Sequence, residues 1–247
     1  MTELLQVNQL CRSFGALQVT RNVSFSLAQG DRTALIGPNG AGKTSLVNLI
    51  SGSLRASSGT VRFKGRDVTA LDQAERARLG LIRTYQVTRL FRAMTVADNV
   101  RLALLQRARQ SMRMFRPVAE MRELEEKTQR VLQLLQLADR HGTAVDRLAY
   151  GEQRLVEIAL AIALEPQVLL LDEPAAGVPQ GESHVIFSAL SRLPGEMAVM
   201  LIEHDMDLVF RFAKEIVVLV AGAVMLRGTP AQVAQDDRVR QLYLGEA

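Results

Sequence analysis

Residues 37–44 read Gly37-Pro38-Asn39-Gly40-Ala41-Gly42-Lys43-Thr44, and this stretch restricts the fold of the chain more than any other. The pattern G-x-x-x-x-G-K-[ST] carries meaning only when a strand precedes it and a helix follows. Thr33-Ala34-Leu35-Ile36 supplies the apolar strand, and residues 43–50 read as the helix. In that setting the glycines let backbone N–H groups converge on the β- and γ-phosphates of a nucleotide without Cβ obstruction. The helix N-terminus adds partial positive charge. Lys43 brings a full charge, and the Thr44 hydroxyl is a ligand for Mg²⁺.

A second element narrows the chemistry. Val168-Leu169-Leu170-Leu171 is an apolar strand that ends in Asp172-Glu173. Paired acids at a strand end are common by themselves. Together with the glycine-rich loop they define a nucleoside triphosphatase, with Asp172 holding Mg²⁺ through water and Glu173 placed to activate an attacking water.

The remaining pattern is that of an α/β core with a helical interruption. Alternating runs at residues 5–10, 23–27 and 33–36 read as sheet, and residues 60–63 as a further strand closed by Lys64-Gly65-Arg66-Asp67. From about residue 95 to 164 the pattern is helical, with Val131, Leu132, Leu134, Leu135 and Leu137 as an apolar stripe. Strands return at 168–171, 198–202 and 216–220, with a helix at 185–193. The first two are continuous apolar runs, as expected of parallel strands covered on both faces.

Composition excludes several classes. The chain has 247 residues, enough for one large domain or one with an inserted lobe. No apolar run is long enough to span a bilayer, and the start lacks the features of a secretory signal, so a soluble chain that stays where it is made is expected. One cysteine, Cys11, precludes an intrachain disulfide and fits a reducing compartment as a small apolar filler. Three histidines without clustered spacing offer no structural zinc site. The net charge of +4 is modest, but ten arginines fall between residues 76 and 116 against one acid, Asp98. Such a stretch reads as a solvated helical face, a nucleic-acid surface, or a face near anionic headgroups.

These elements, in this order, resemble the ATP-binding cassette family over essentially the whole chain. The resemblance implies a P-loop NTPase (RecA-like) α/β core with an antiparallel β subdomain and an inserted α-helical subdomain. The core is expected over residues 1–87 and 160–247, and the helical signature subdomain over 88–159. It also implies roles for single residues. Phe14 stacks on adenine, and Gly37, Pro38, Asn39, Gly40, Ala41, Gly42, Lys43, Thr44 and Ser45 bind ATP. Gln86, after a strand at 81–85, senses Mg²⁺ and the γ-phosphate at the hinge to the helical lobe. His204, after the strand at 198–202, contacts the γ-phosphate. Thr44, Gln86 and Asp172 hold Mg²⁺, and Glu173, His204, Lys43 and Gln86 form the catalytic set. The family signature corresponds to Leu148-Ala149-Tyr150-Gly151-Glu152 and serves the ATP of the opposite subunit. Ala149 lacks the usual hydroxyl, Tyr150 replaces a glycine, and Pro179 replaces the aspartate of the loop after Glu173.

The wording Arg83-Thr84-Tyr85-Gln86, Tyr150-Gly151-Glu152-Gln153-Arg154 and Glu173-Pro174-Ala175-Ala176-Gly177-Val178 is similar to one subgroup, the ATPase subunits of branched-chain amino-acid uptake systems. Its relatives move urea or short amides, and a more distant branch extracts lipopolysaccharide. This implies a peripheral protein on the cytoplasmic face of the inner (plasma) membrane. Its partners are transmembrane permease subunits, a second ATPase subunit (identical or similar), and a solute-binding protein in the full system, with no nucleic acid. The alternatives are export of lipid or lipopolysaccharide, and a soluble cassette ATPase acting on nucleic acid or ribosomes. The latter usually carries two cassettes or a long coiled coil, and this chain has neither.

Overall fold

The structure is a computed structural model that describes residues 3–84, 90–108, 118–179 and 183–244. The chain packs as two compact units, one of Met1–Arg83, Gln167–Glu173 and Gly195–Ala247, the other of Thr84–Pro166 and Pro174–Pro194.

In the first unit, β1 (Glu3–Phe14) and β2 (Leu17–Ala28) form a long antiparallel hairpin. Alternation drives it, since Val23, Phe25 and Leu27 point inward and are buried. Bulges break the β1 register near Gln9, which takes φ +46°. Next come β3 (Arg32–Ile36), α1 (Lys43–Ser51), β4 (Ser58–Phe63) and β5 (Arg66–Asp67). The turn expected at 64–67 is therefore shorter, because Arg66 and Asp67 pair with β4. After α2 (Gln73–Leu79) comes β6 (Leu81–Arg83), the strand expected over 81–85, and Tyr85 lies outside the described residues.

The second unit is helical: α3 (Val96–Arg107), α4 (Val118–Leu134), α5 (Tyr150–Ala163) and α6 (Ser183–Ser191). The stripe expected on α4 and beyond is its core, with Leu132, Leu135 and Leu137 fully buried. The limits expected for this subdomain, 88 and 159, fall inside it. Helix α5 runs on through 160–163, and α6 contacts α5 and buries Ile186, Ala189 and Leu190.

Chain segments returning to the first unit form β7 (Val168–Asp172), β8 (Ala198–Ile202), α7 (Met206–Phe212), β9 (Glu215–Val220), β10 (Ala223–Gly228), α8 (Pro230–Gln235) and α9 (Asp237–Leu244). Two sheets result, ordered β2-β1-β4-β5 and β10-β9-β3-β8-β7-β6. The first is antiparallel. In the second, strands β9 to β6 run parallel, and β10 returns antiparallel at one edge. Every residue of β7 and β8 is buried, which explains their unbroken apolar runs. One apolar core joins both sheets to α1 through residues such as Leu5, Phe25, Leu46, Leu49, Val61 and Leu170. With β3 inside the parallel sheet, the loop that follows it opens at the carboxyl ends of the strands, where ligands of such sheets bind.

Candidate functional site

Strand β3 delivers Gly37–Gly42 to the start of α1, as the glycine-rich pattern requires. Gly42 caps the helix at φ +96°, and a Cβ there would lie 2.4 Å from the Val19 carbonyl oxygen. Only glycine meets both demands. We expect Gly42→Ala to cost about 1–3 kcal/mol from backbone strain alone, seen as a lowered thermal unfolding midpoint together with lost nucleotide binding. Lys43 Nζ donates to the carbonyls of Gly37 at 2.6 Å and Pro38 at 3.2 Å. The ammonium is thus held over the loop rather than free in solvent. Ala41 is buried, Ser45 half-buried, and Asn39, Gly40 and Thr44 are exposed.

Asp172 ends β7 and is 6% exposed, and Glu173 follows with φ +46°, a strained value for a residue with a side chain. The Glu173 N–H donates to the Ile202 carbonyl at 2.9 Å, which pins this conformation to β8. Both carboxylates act on Lys43. Burial lowers the lysine's pKa, and the negative charges of Glu173 first and Asp172 second oppose that effect. His204 follows β8 and is exposed, with its Nδ1 3.7 Å from an oxygen of the buried Glu203. Phe14, at the end of β1, is 49% exposed, so it is no part of the core. The Arg12 guanidinium lies 4.5 Å from its ring centroid. Gln86 lies outside the described residues.

Two residues of this region had no site role legible in the sequence. Glu203 is one, a carboxylate only 1% exposed. Arg83 is the other: its guanidinium forms an ion pair with Asp172 at 2.5 Å and donates to Asn48 of α1. A charge in a short strand does not announce its partner, because both partners come from distant parts of the chain.

In the second unit, α5 begins at the expected signature. Ala149 has no acceptor to cap the helix, but its N–H donates to the Glu152 carboxylate at 3.1 Å, and Glu152 also pairs with Arg140. Gly151 is buried in the first turn. The Tyr150 hydroxyl accepts from Arg154 Nη2 at 2.7 Å, and that same nitrogen donates to the Ala176 carbonyl. A Cβ on Gly177 would stand 3.1 Å from the Tyr150 hydroxyl oxygen. The bulky signature residue thus fills the space beside the loop after Glu173, and glycine at 177 makes that space. Pro179, at the end of this described stretch, is exposed.

The comparison with known sequences is decisive. Residues 20–176 match the family described as ABC transporter. The chain is 36% identical to the high-affinity branched-chain amino acid transport ATP-binding protein LivG of Salmonella typhimurium, over 99% of this chain and 98% of that one. It is 35% identical to LivG of Escherichia coli over the same shares. This chain belongs to the ABC transporter family. Solved ABC transporter cassettes agree: one in its ADP conformation superposes with a TM-score of 0.84 at 30% identity over the full length of both chains. A nucleotide-free cassette superposes at 0.82, also at 30% identity, over 99% of this chain.

As an ABC transporter ATPase the chain binds ATP and hydrolyses it. No helix among the described residues is long and apolar enough to cross a membrane. Nor do three His, Cys, Asp or Glu side chains converge there as an all-protein metal cage. One carboxylate and one hydroxyl, Asp172 and Thr44, suit Mg²⁺, which keeps waters and takes phosphate oxygens as further ligands.

Of the described arginines in the basic stretch, Arg78, Arg92 and Arg107 are exposed, whereas Arg76, Arg83 and Arg101 are spent within the protein. Arg76 is 2% exposed and donates to the carbonyls of Leu49 and Ile50, closing the last turn of α1; burial lowers its pKa to about 10. Arg83 is consumed by Asp172. Arg101 pairs with Asp98 and Glu125. Arg89, Arg109, Arg113 and Arg116 lie outside the described residues.

Proposed function

We propose that this chain is the ATP-hydrolysing subunit of an uptake system for branched-chain amino acids or a closely related small solute. The observation that carries the ATPase chemistry is the placement of Lys43 with Glu173 and Asp172 at the strand ends, where the carboxylates act on its charge. The loop and Lys43 bind the phosphates, and Thr44 and Ser45 lie at the helix start beneath them. Thr44, Asp172 and Gln86 are the residues that would hold Mg²⁺, which when bound would supply charge neutralisation at the phosphates. Glu173 takes a proton from the attacking water. His204 contacts the γ-phosphate, and Phe14, exposed beside Arg12, offers its face to adenine. The nucleotide core of this reading follows the first compact unit, Met1–Arg83, Gln167–Glu173 and Gly195–Ala247, and the signature region the second, Thr84–Pro166 and Pro174–Pro194, in place of the expected division at 88–159.

The solute class rests on relatives named for branched-chain amino acid transport that match along their whole length. In this reading two subunits sandwich ATP, each offering Ala149, Tyr150, Gly151 and Glu152 to the other's nucleotide. The helix N-terminus behind Gly151 supplies the N–H groups. The dimer sits on the cytoplasmic face of the membrane against permease subunits, with a solute-binding protein completing the system.

Phe91 supports a docking surface near the start of the second unit, since it is 58% exposed and Leu90 is only half-buried. Arg92 is exposed beside it, and Arg89 lies outside the described residues. The double variant Arg89→Glu, Arg92→Glu should leave ATP hydrolysis by the isolated subunit within about twofold of the parent. Co-purification with the permease subunits and uptake of labelled leucine should fall by about tenfold or more. Normal assembly would remove this segment from the docking surface. Tight, steeply salt-dependent binding of nucleic acid by the parent chain would favour the soluble alternative over transport.

A further inference from the structure

Thr44 and Asp172 come from different elements, the helix after the phosphate loop and the end of β7, so something must set their spacing. Asn48 lies four residues beyond Thr44 on α1, on the same helix face. The Arg83 side chain, 5% exposed, reaches both elements: Nη1 donates to Asn48 Oδ1 and Nη2 to Asp172 Oδ2 at 2.5 Å. Its own strand, β6, is held against β7 with Arg83 level with Leu170, so the root of the side chain is fixed as well.

We propose that Arg83 is a positioning residue for Mg²⁺, a rigid fork that sets the Asp172 carboxylate against the Thr44-bearing helix. This rests on the reading of Thr44 and Asp172 as the residues that hold the metal. The physical case has three parts. A carboxylate buried to this degree needs a counter-charge, and Arg83 supplies it without leaving the protein interior. A guanidinium is planar, so two donors on two nitrogens fix direction as well as charge. A lysine ammonium would retain the charge but could not span both acceptors in a fixed geometry. Groups one bond removed from a metal ligand commonly govern its affinity about 10–100-fold through orientation alone.

The test is binding of trinitrophenyl-ATP to the purified full chain, first in EDTA and then against increasing Mg²⁺, with the thermal unfolding midpoint of each variant recorded. Arg83→Met and Arg83→Lys should bind the nucleotide in EDTA like the parent, because the phosphate loop is intact. Each should need about tenfold more Mg²⁺ for the metal-dependent part of the signal. Asn48→Ala, which leaves the ion pair in place and keeps the fold if Arg83→Met does not, should shift the requirement in the same direction by about threefold. Parent-like Mg²⁺ dependence in both Arg83→Lys and Asn48→Ala would overturn the proposal. So would a lower Mg²⁺ requirement in Arg83→Met, which would make the guanidinium a competitor of the metal. Asp172→Asn separates the two levels: if that variant responds to Mg²⁺ like the parent, the assignment of Asp172 fails and takes the proposal with it. A raised requirement in Asp172→Asn beside parent-like Arg83→Lys and Asn48→Ala overturns the role of Arg83 alone.

Discussion

Lys43→Ala should weaken ATP binding by about a hundredfold or more, equal to about 2.8 kcal/mol, and reduce turnover to background. The side chain now spans the loop, donating to the Gly37 and Pro38 carbonyls. A bound triphosphate offers far better acceptors, and a charge-assisted contact to phosphate is roughly twice as strong as a neutral one. Removing Lys43 also leaves Glu173 facing incoming phosphate without the cation it acts on, while Asp172 keeps Arg83 as its counter-charge. Repulsion then adds to the lost attraction. Equilibrium titration with a fluorescent ATP analogue checks this, and an affinity within about threefold of the parent would withdraw the assignment of the loop. Circular dichroism should show an unchanged fold, because the lysine's partners are two loop carbonyls and its side chain is only half-buried.

Glu173→Gln separates binding from chemistry. Glutamine keeps the size and the hydrogen-bonding oxygen but cannot accept a proton from water. Hydrolysis should fall by about 10²–10³-fold, with ATP affinity within about threefold of the parent. The main chain at this position favours a readable result, since its φ of +46° is held by the N–H bond to Ile202, which the substitution leaves in place. Two subunits that bind ATP but do not cleave it should accumulate as a closed dimer in ATP and Mg²⁺. Size-exclusion chromatography or scattering would show it. Phosphate release at the parental rate would remove Glu173 from the catalytic role.

Much of the architecture was legible because it is written locally. A glycine-rich loop between an apolar strand and a helix can be recognised from a dozen consecutive residues, and β7 and β8 announce themselves as unbroken apolar runs because both faces are covered. The positions of Lys43, Asp172 and Glu173 follow from those same short stretches. The return strand β10 was not legible, since none of its residues is buried, Arg227 is exposed and its alternation is weak. Composition told only part of the story for the arginines, since Arg78, Arg92 and Arg107 are exposed as a charged face requires but three others are not. Counting them between 76 and 116 suggested a charged face, yet Arg76 closes α1, Arg83 holds Asp172, and Arg101 is paired twice.

By itself, then, the sequence determined the phosphate loop, the acidic strand end, the parallel core and the family, since each depends on neighbours within a few residues or on whole-length similarity. Only the tertiary structure decided which charges are spent inside the protein. It also decided that Tyr150 and Arg154 bind the loop at Ala176 and Gly177, and that residues 174–194 pack with the helical unit. The physical reason is sequence separation. Arg83 and Asp172 are 89 positions apart, and no local pattern records that folding will bring a guanidinium and a carboxylate together in a site from which water is excluded.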